Sequence, residues 1–320
     1  AAGLIAWGAV LTAMPVSAEV KDIKIARQYS IGHLPLMVMK DQQLLEKRLK
    51  ARGLSDVTVT WVNLAGSAAM IDGLLSGSLQ VASTGTSGFA VLWDKTKGEV
   101  KAIAAQTTLP VFLVTRDPNV KSPKDLTEKN RIAVPAVGVS PQAIFLKMQA
   151  MQLYGKEGVG HFDKMTVTMS HPDAFAAMLS GAGGIDTHFA APPYDQWEVE
   201  RVPGARVILN SDDLTGGPAT ATVLMASEKF RKESPEAYAA VSAALRDAID
   251  LINKNPRLAA EILLKELNNK KDSVEDTVKI MNGPGMSFSY TPKNIVKLFN
   301  AMYDVGVLKR KPTDWKELFF

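Results

Sequence analysis

Residues 57–87 read VTVTWVNLAGSAAMIDGLLSGSLQVASTGTS, and the change of period inside them decides the fold class. Val57 to Val62 alternates β-branched and polar side chains, the period of two that a pleated strand needs to bury one face. After Gly66-Ser67 the period changes. Ala69, Met70 and Leu74 recur at helical spacing until Gly77 stops the helix. Leu79 to Ala82 then reads as a short buried strand, and Thr86 or Ser87 caps a helix running to about Lys97. Strands separated by helices are the pattern of parallel α/β layers.

The same beat continues on both sides. Ile23 to Ala26 alternates as a strand, Pro35 opens a helix that carries Leu44, Leu45 and Leu49 to a stop at Gly53, and Val100 to Ala105 is a strand. A second series follows, with strands at Phe112–Thr115, Arg131–Val134, Lys164–Met169 and Gly184–Thr187. Between them lie a short helix at Ser122-Pro123, a helix from Ser140-Pro141 to about Tyr154, and a helix at Pro172–Leu179. Pro141 takes the first helical position, where a missing N–H costs nothing. From Ser234 onward the chain is almost all helix, broken by Pro256, Pro284 and Pro292. Leu74–Ala82 and Met178–Asp186 resemble one another: a helix end, a glycine stop, then a buried strand. That echo is either a turn any α/β protein reuses or two lobes of similar build facing across a cleft.

Composition excludes several classes. With 46% apolar and 22% charged residues in 320, the chain is globular and not disordered. Its net charge of +4 is spread along the sequence, so no nucleic-acid partner is expected. There is no cysteine, which removes disulfides, thiol nucleophiles and thiolate metal sites. The four histidines, His33, His161, His171 and His188, have no zinc-site spacing, so no metal is expected. Ala1 to Ala18 carries no charge and closes on Val16-Ser17-Ala18, which reads as the remnant of an export signal over residues 1–18. A membrane anchor, the alternative, is made marginal by Gly3, Gly8 and Pro15. No GxSxG, Walker, HExxH or GxGxxG signature is present, so no catalytic residues and no cofactor are assigned.

Several segments in order carry a resemblance: Pro35-Leu36-Met37-Val38-Met39-Lys40, Gly66-Ser67 through Gly77, Thr84-Gly85-Thr86, Leu113-Val114-Thr115-Arg116-Asp117 with Lys124-Asp125-Leu126, Val137-Gly138-Val139-Ser140, Pro172 to Ala177, Ala191-Pro192-Pro193 and Asn255-Pro256. On these the chain resembles the periplasmic substrate-binding proteins of ABC importers, in the nitrate/sulfonate/taurine group that includes pyrimidine-precursor binders. The resemblance implies an α/β fold of two lobes, the type II periplasmic-binding-protein fold. Each lobe would be a mostly parallel sheet flanked by helices, joined by two hinge crossovers near Thr108–Phe112 and Gly216–Thr220. Lobe 1 would comprise residues 19–109 and 220–320, and lobe 2 residues 110–219. It further implies a monomeric periplasmic receptor, not an enzyme. Such a receptor closes on a small anionic or polar organic solute (sulfonate-, taurine- or nitrate-like) and delivers it to a permease in the inner membrane. A pyrimidine or other aromatic heterocycle precursor is the alternative ligand. The related pyrimidine-phosphate synthases carry a cysteine-rich motif that this chain lacks. Gln80 stands where the family often has Asp, and the Pro that often follows the Gly85 position is absent.

Ligands of open parallel α/β sheets bind beyond the carboxyl ends of the strands. Those ends give six loops: Tyr29–Leu34, Leu64–Ser67, Thr84–Ser87, Gln106–Leu109, Ala136–Pro141 and Asp186–Ala191. The candidate ligand contacts on them are Tyr29, His33, Gly66, Ser67, Thr84, Gly85, Thr86, Thr107, Thr108, Gly138, Val139, Ser140, His188 and Phe189. Three loops, at Gly66-Ser67, Gly85-Thr86-Ser87 and Gly138-Val139-Ser140, open helices, whose free N–H groups suit an anion without Lys or Arg. Plain capping explains each hydroxyl equally well. His33 and His188 are contacts or solvated loop residues. His161 and His171 are expected to be structural, and Trp93 to be core. Tyr194 and Trp197 either line the cleft or pack a helix on the second lobe.

Overall fold

The computed structural model describes residues 19–64, 67–138 and 140–320. The segment read as an export signal, Gly66 and Val139 lie outside the described residues.

Eleven strands form two sheets among the described residues. The first sheet contains β1 (Asp22–Arg27), β2 (Thr58–Asn63), β3 (Val81–Gly85), β4 (Val100–Thr108), β10 (Thr220–Ser227) and β11 (Ser287–Phe288), in the order β11-β4-β10-β3-β1-β2. The second contains β5 (Phe112–Thr115), β6 (Ile132–Val134), β7 (Thr166–Thr168), β8 (Thr187–Ala190) and β9 (Arg206–Asn210), in the order β7-β6-β8-β5-β9. Both sheets are mixed. β1 runs parallel to β2 and β3, but β10 lies antiparallel between β3 and β4, and β11 is antiparallel to β4. In the second sheet β6 is parallel to β7 and β8, while β5 lies antiparallel between β8 and β9. Thus β1 to β4 share one direction, β6 to β9 share one direction, and a reversed strand sits inside each sheet. These are the crossing strands: the chain leaves β4 through Leu109–Val111 into β5 and returns from β9 into β10. The expectation of two mostly parallel sheets flanked by helices is met, with four strands of each sheet sharing a direction; the reversed strand is the feature that strand–helix periodicity does not signal.

The helices, in chain order, are α1 (Leu34–Asp41), α2 (Leu44–Ala51), α3 (Ser67–Ser76), α4 (Thr86–Lys95), α5 (Pro141–Tyr154), α6 (His171–Ser180), α7 (Tyr194–Arg201), α8 (Ser211–Thr215), α9 (Glu228–Glu233), α10 (Pro235–Lys254), α11 (Pro256–Glu266), α12 (Val274–Met281) and α13 (Ile295–Asp304). The single helix expected from Pro35 to Gly53 is two, because Gln43 takes φ 49° and turns the chain between α1 and α2. Both halves then pack on α10, whose buried stripe of Ala237, Ala240, Val241, Ala244, Leu245, Ala248, Ile249 and Ile252 follows the period of 3.6. Four small alanines in that stripe let the helices approach closely.

The main core runs without a break from the first sheet into one face of the second, and the other face holds a smaller core around Val114, Ala174, Met178 and Trp197. Trp93 is core, as expected: its ring lies 5.7 Å from Phe299, which also meets Phe89 at 5.6 Å, both edge-on. The carboxyl terminus is fastened to β4, with Ala102 N–H donating to Leu318 O and Phe320 N–H donating to Ala102 O. Phe299→Ala is expected to cost about 3–5 kcal/mol, the range for a fully buried Phe. The measure is the denaturant midpoint, and an unchanged midpoint would show that this cluster does not hold α13 to α4.

Candidate functional site

A cavity opens where the two sheets face each other, with about 80 Å³ reachable by the centre of a water-sized sphere. That is room for a small solute and not for a polymer. Its walls come from both sheets. Tyr29, Ser30 and His33 follow β1, Gly85 and Thr86 follow β3, and Ala219 to Thr222 open β10. Opposite them, Ala136, Ser140 and Gln142 follow β6, Ser170 and His171 follow β7, Ala191 follows β8, and Ser211 and Asp212 follow β9. Parallel strands end at the cavity and both crossing strands begin there, which is the geometry in which such folds bind ligands.

Among the described residues α4, α5 and α6 start at this cavity, and α1 starts there at His33 as the continuation of a 3-10 turn, Ile31–His33. Ser140 caps α5 by accepting from Ala143 N–H, with Pro141 in the first turn. Ser170 caps α6 by accepting from Asp173 N–H, with Pro172 in the first turn. Gly85 caps α4 for a steric reason: a Cβ there would lie 2.7 Å from Cγ of Pro141. Only a glycine lets the start of α4, from one side of the cavity, meet the start of α5 from the other.

The imidazoles at the cavity are uncharged. His33 is 2% exposed, and burial, reinforced by Arg27 and His171, lowers its pKa to about 3. Its Nδ1 lies 2.7 Å from Ser83 Oγ, which also accepts from Gln106 Nε2 at 2.8 Å. Ser83 can therefore donate its own proton to Nδ1, leaving the His33 proton on Nε2. This Ser–His contact is not a nucleophile and base, because Ser83 is wholly buried in β3 and does not line the cavity. His171 is pushed well below the ordinary histidine range by burial and then by His188. Asp212 is held above the ordinary carboxylate range by partial burial and by Asp213. No Lys or Arg is among the described lining residues. Among the described residues no group of three or more His, Cys, Asp or Glu is arranged to hold a metal ion.

Of the residues singled out from the sequence, Tyr29, His33, Gly85, Thr86 and Ser140 line the cavity. Thr86 Oγ donates to Thr220 O across the β3–β10 pair. The others stand elsewhere. Thr84 is buried inside β3. Thr107 shares a hydrogen bond with Thr222 and Thr108 one with Ser287, so both hydroxyls tie strands together. Gly138, at φ 76°, supplies a left-handed turn before α5. Ser67 begins α3, and Gly66 and Val139 are not described. Phe189 is core, its ring 6.2 Å from Phe145. His188 is wholly buried one layer behind the wall, hydrogen-bonded to His171 and Glu198. His171, expected to be structural, lines the cavity. So do Gln142, Ser170, Asp212 and Thr222, which the sequence reading missed. Ser170 with Pro172 is the same signal as Ser140 with Pro141, a capping hydroxyl with proline in the first turn, and marks the loop after β7. Tyr194 and Trp197 pack α7 in the smaller core.

A family model described as NMT1/THI5 like matches residues 50–259. No curated protein matches the sequence. Among solved structures, the alkanesulfonate-binding protein SsuA from Xanthomonas axonopodis pv. citri bound to MOPS superposes with a TM-score of 0.70 at 18% identity, over 94% of this chain and 98% of that one. The CA3427 gene product of Candida albicans, described as having the generic periplasmic binding protein structural fold, gives 0.69 at 17% identity, over 94% and 96%. The periplasmic nitrate-binding protein NrtA from Synechocystis PCC 6803 gives 0.65 at 14% identity, over 93% and 84%. At such identities the likeness is one of fold: this chain has the periplasmic-binding-protein architecture.

The burial of His33 and His188 has a direct readout. Between pH 8 and pH 5 the imidazole resonances of His33 and His188, whose pKa values both lie at about 3, should stay at their neutral-ring positions. A midpoint near 6.5 at either ring would mean that water reaches it.

Proposed function

The chain belongs to the NMT1/THI5-like family, and from that premise we propose that it is the solute receptor of an ABC import system. It works outside the cytoplasm as a monomer, closes on a small anionic or polar organic solute and presents the closed form to a membrane permease. The observation that carries this reading is the convergence of three helix N-termini and several hydroxyls, from both sheets, on one small cavity with no Lys or Arg in its wall. Each helix start favours a negative or strongly polar group by about 0.3–1 kcal/mol, and by up to about 2 where partly buried. Three of them, with hydrogen bonds from Ser140 and His33, make micromolar binding, about −8 kcal/mol, attainable. Asp212 in the wall weighs against a doubly charged anion. The sulfonate and nitrate named for the neighbouring structures are of the class favoured here.

Residues 19–109 with 220–320 form one lobe and residues 110–219 the other in this proposal, with Leu109–Val111 and Gly216–Ala219 as the hinge. A second reading, a pyrimidine or other flat heterocycle, is favoured by Tyr29 and Phe145, whose rings stand at the cavity beside His33 and His171. Catalysis finds less support: the Ser83–His33 contact is buried away from the cavity.

A thermal-shift screen with taurine, short alkanesulfonates, nitrate and pyrimidine precursors tests the reading. The true ligand at about a hundred times its Kd adds about 2.7 kcal/mol of stability. His33→Ala and Ser140→Ala are each expected to weaken its binding about tenfold with the circular dichroism unchanged. Turnover of a substrate with no stabilisation by any solute would overturn the receptor reading. Gly85→Ala, which pushes Pro141 back and props the lobes apart, should also weaken binding, by several-fold. Unaltered affinity there would mean that α4 and α5 do not need to meet around the ligand.

A further inference from the structure

Behind the cavity wall lies a line of polar groups that ligand contact alone does not explain. His171, at the first turn of α6, lines the cavity, and its Nδ1 is 2.9 Å from Nε2 of His188 on β8. Nδ1 of His188 is in turn 2.5 Å from Oε1 of Glu198 on α7. His188 and Glu198 have no exposed surface, and Glu198 Oε2 has no hydrogen-bond partner. Of the four nitrogens of these two rings only Nε2 of His171 remains to face the cavity, 3.5 Å from Nε2 of Gln142.

An uncharged imidazole carries one proton and one lone pair. Two in series must therefore point the same way, and the group at the buried end sets the direction. If Glu198 carries its proton, it donates to His188 Nδ1, His188 donates from Nε2 to His171 Nδ1, and His171 presents an N–H to the cavity. If Glu198 loses that proton to solvent, each ring moves its own proton from Nε2 to Nδ1, and His171 presents a lone pair instead. Burial favours the first arrangement, since an ionised carboxylate there would keep one oxygen unbonded in a dry interior. It raises Glu198 to about 9 and lowers His188 to about 3, so both are uncharged at neutral pH. The titratable neighbours do not oppose this. Asp195, on α7 itself, is also raised, to about 7, by burial, then by Glu198. Tyr194, on the same helix, is raised to about 12 by burial and then by Asp173 of α6. His33 faces His171 from the other side of the cavity and is uncharged. Arg206 of β9 is engaged by the carbonyls of Asp117 and Val120. Gln142 fits too. Its amide can present either Nε2 or, turned over by 180°, Oε1 to the His171 nitrogen, so it is compatible with both directions and does not set one.

We propose that Glu198 is a positioning residue which, through His188, fixes His171 as a hydrogen-bond donor, so that this half of the site selects a solute by an oxygen acceptor, such as a sulfonate, carboxylate or carbonyl oxygen, and rejects an amine. The selection rests on the receptor reading, whereas the polarity of the chain is a property of the free protein and is measured without any solute. Long-range ¹H–¹⁵N correlation spectra of the uniformly labelled full chain at pH 7.5 should show His171 and His188 both protonated on Nε2 and bare on Nδ1. Protonation of either on Nδ1 overturns the proposal. Raising the pH to 10.5 should switch both rings to the Nδ1–H form in the wild type but not in Glu198→Gln, whose amide N–H donates at every pH. A switch that persists in Glu198→Gln, or none in the wild type, overturns Glu198 as the group in control. Calorimetry at pH 7.5 with ethanesulfonate and ethylammonium as probes should favour the first at least tenfold, and a preference for the amine sinks the selection. If no solute of any kind binds, the receptor reading falls, while the spectra still decide the polarity of the chain.

Discussion

Two sheets can aim the ends of their parallel strands at one another only if the chain crosses between them on strands that run the other way. That constraint is met by β5 and β10, each inserted between neighbours of opposite direction. Every loop that reaches the cavity follows from it. The parallel strands deliver their carboxyl ends and the helix starts that come after them, and the crossing strands deliver their amino ends. Helix N-termini therefore collect at one place without any motif to announce them, and the polarity of the site is built from main chain before side chains are counted.

The alternation of strand and helix was legible because hydrophobic period is a local property. Val57–Val62, Phe112–Thr115 and the helix capped by Ser140-Pro141 stand close to where their residues put them. What failed was register. The strand expected at Gly184–Thr187 is at Thr187–Ala190, three residues later. The residue at the mouth of the cavity is consequently Ala191, and His188 falls inside the strand, on the side that faces α6 and α7. Glycines at 183 and 184 take positive φ and extend the turn before the strand starts, a backbone choice that apolar periodicity does not report. His171 went the other way for a related reason. Placed by sequence at a helix start, it read as a structural residue, yet the turn after β7 makes a helix start the wall of the site. The crossing strand β10 had no signature of its own, since Thr220 to Ser227 becomes a central strand only through β3 and β4, partners more than a hundred residues earlier, on the far side of the second sheet's segment.

The interior of the site is governed by the cost of burying polar groups. Three imidazoles stand with little or no exposure, and each is held neutral and tied to a fixed partner: Ser83 for His33, His188 for His171, Glu198 for His188. A charged ring in any of these places would lose its hydration for a single hydrogen bond. Keeping them neutral makes these rings a set of dipoles, each oriented by its partner.

The order of assembly is written into the sheet topology. Every strand of the second sheet lies between Phe112 and Asn210, one unbroken stretch. The first sheet is in two pieces until β10 arrives, because β10 is the strand that joins β3 to β4. Its far edge is completed later still, when Leu318 and Phe320 bond to Ala102. A chain emerging amino end first thus possesses every strand of the second sheet while the first still lacks the strand that joins its two pieces, and the cavity between them has no complete wall until β10 and Leu298 have followed.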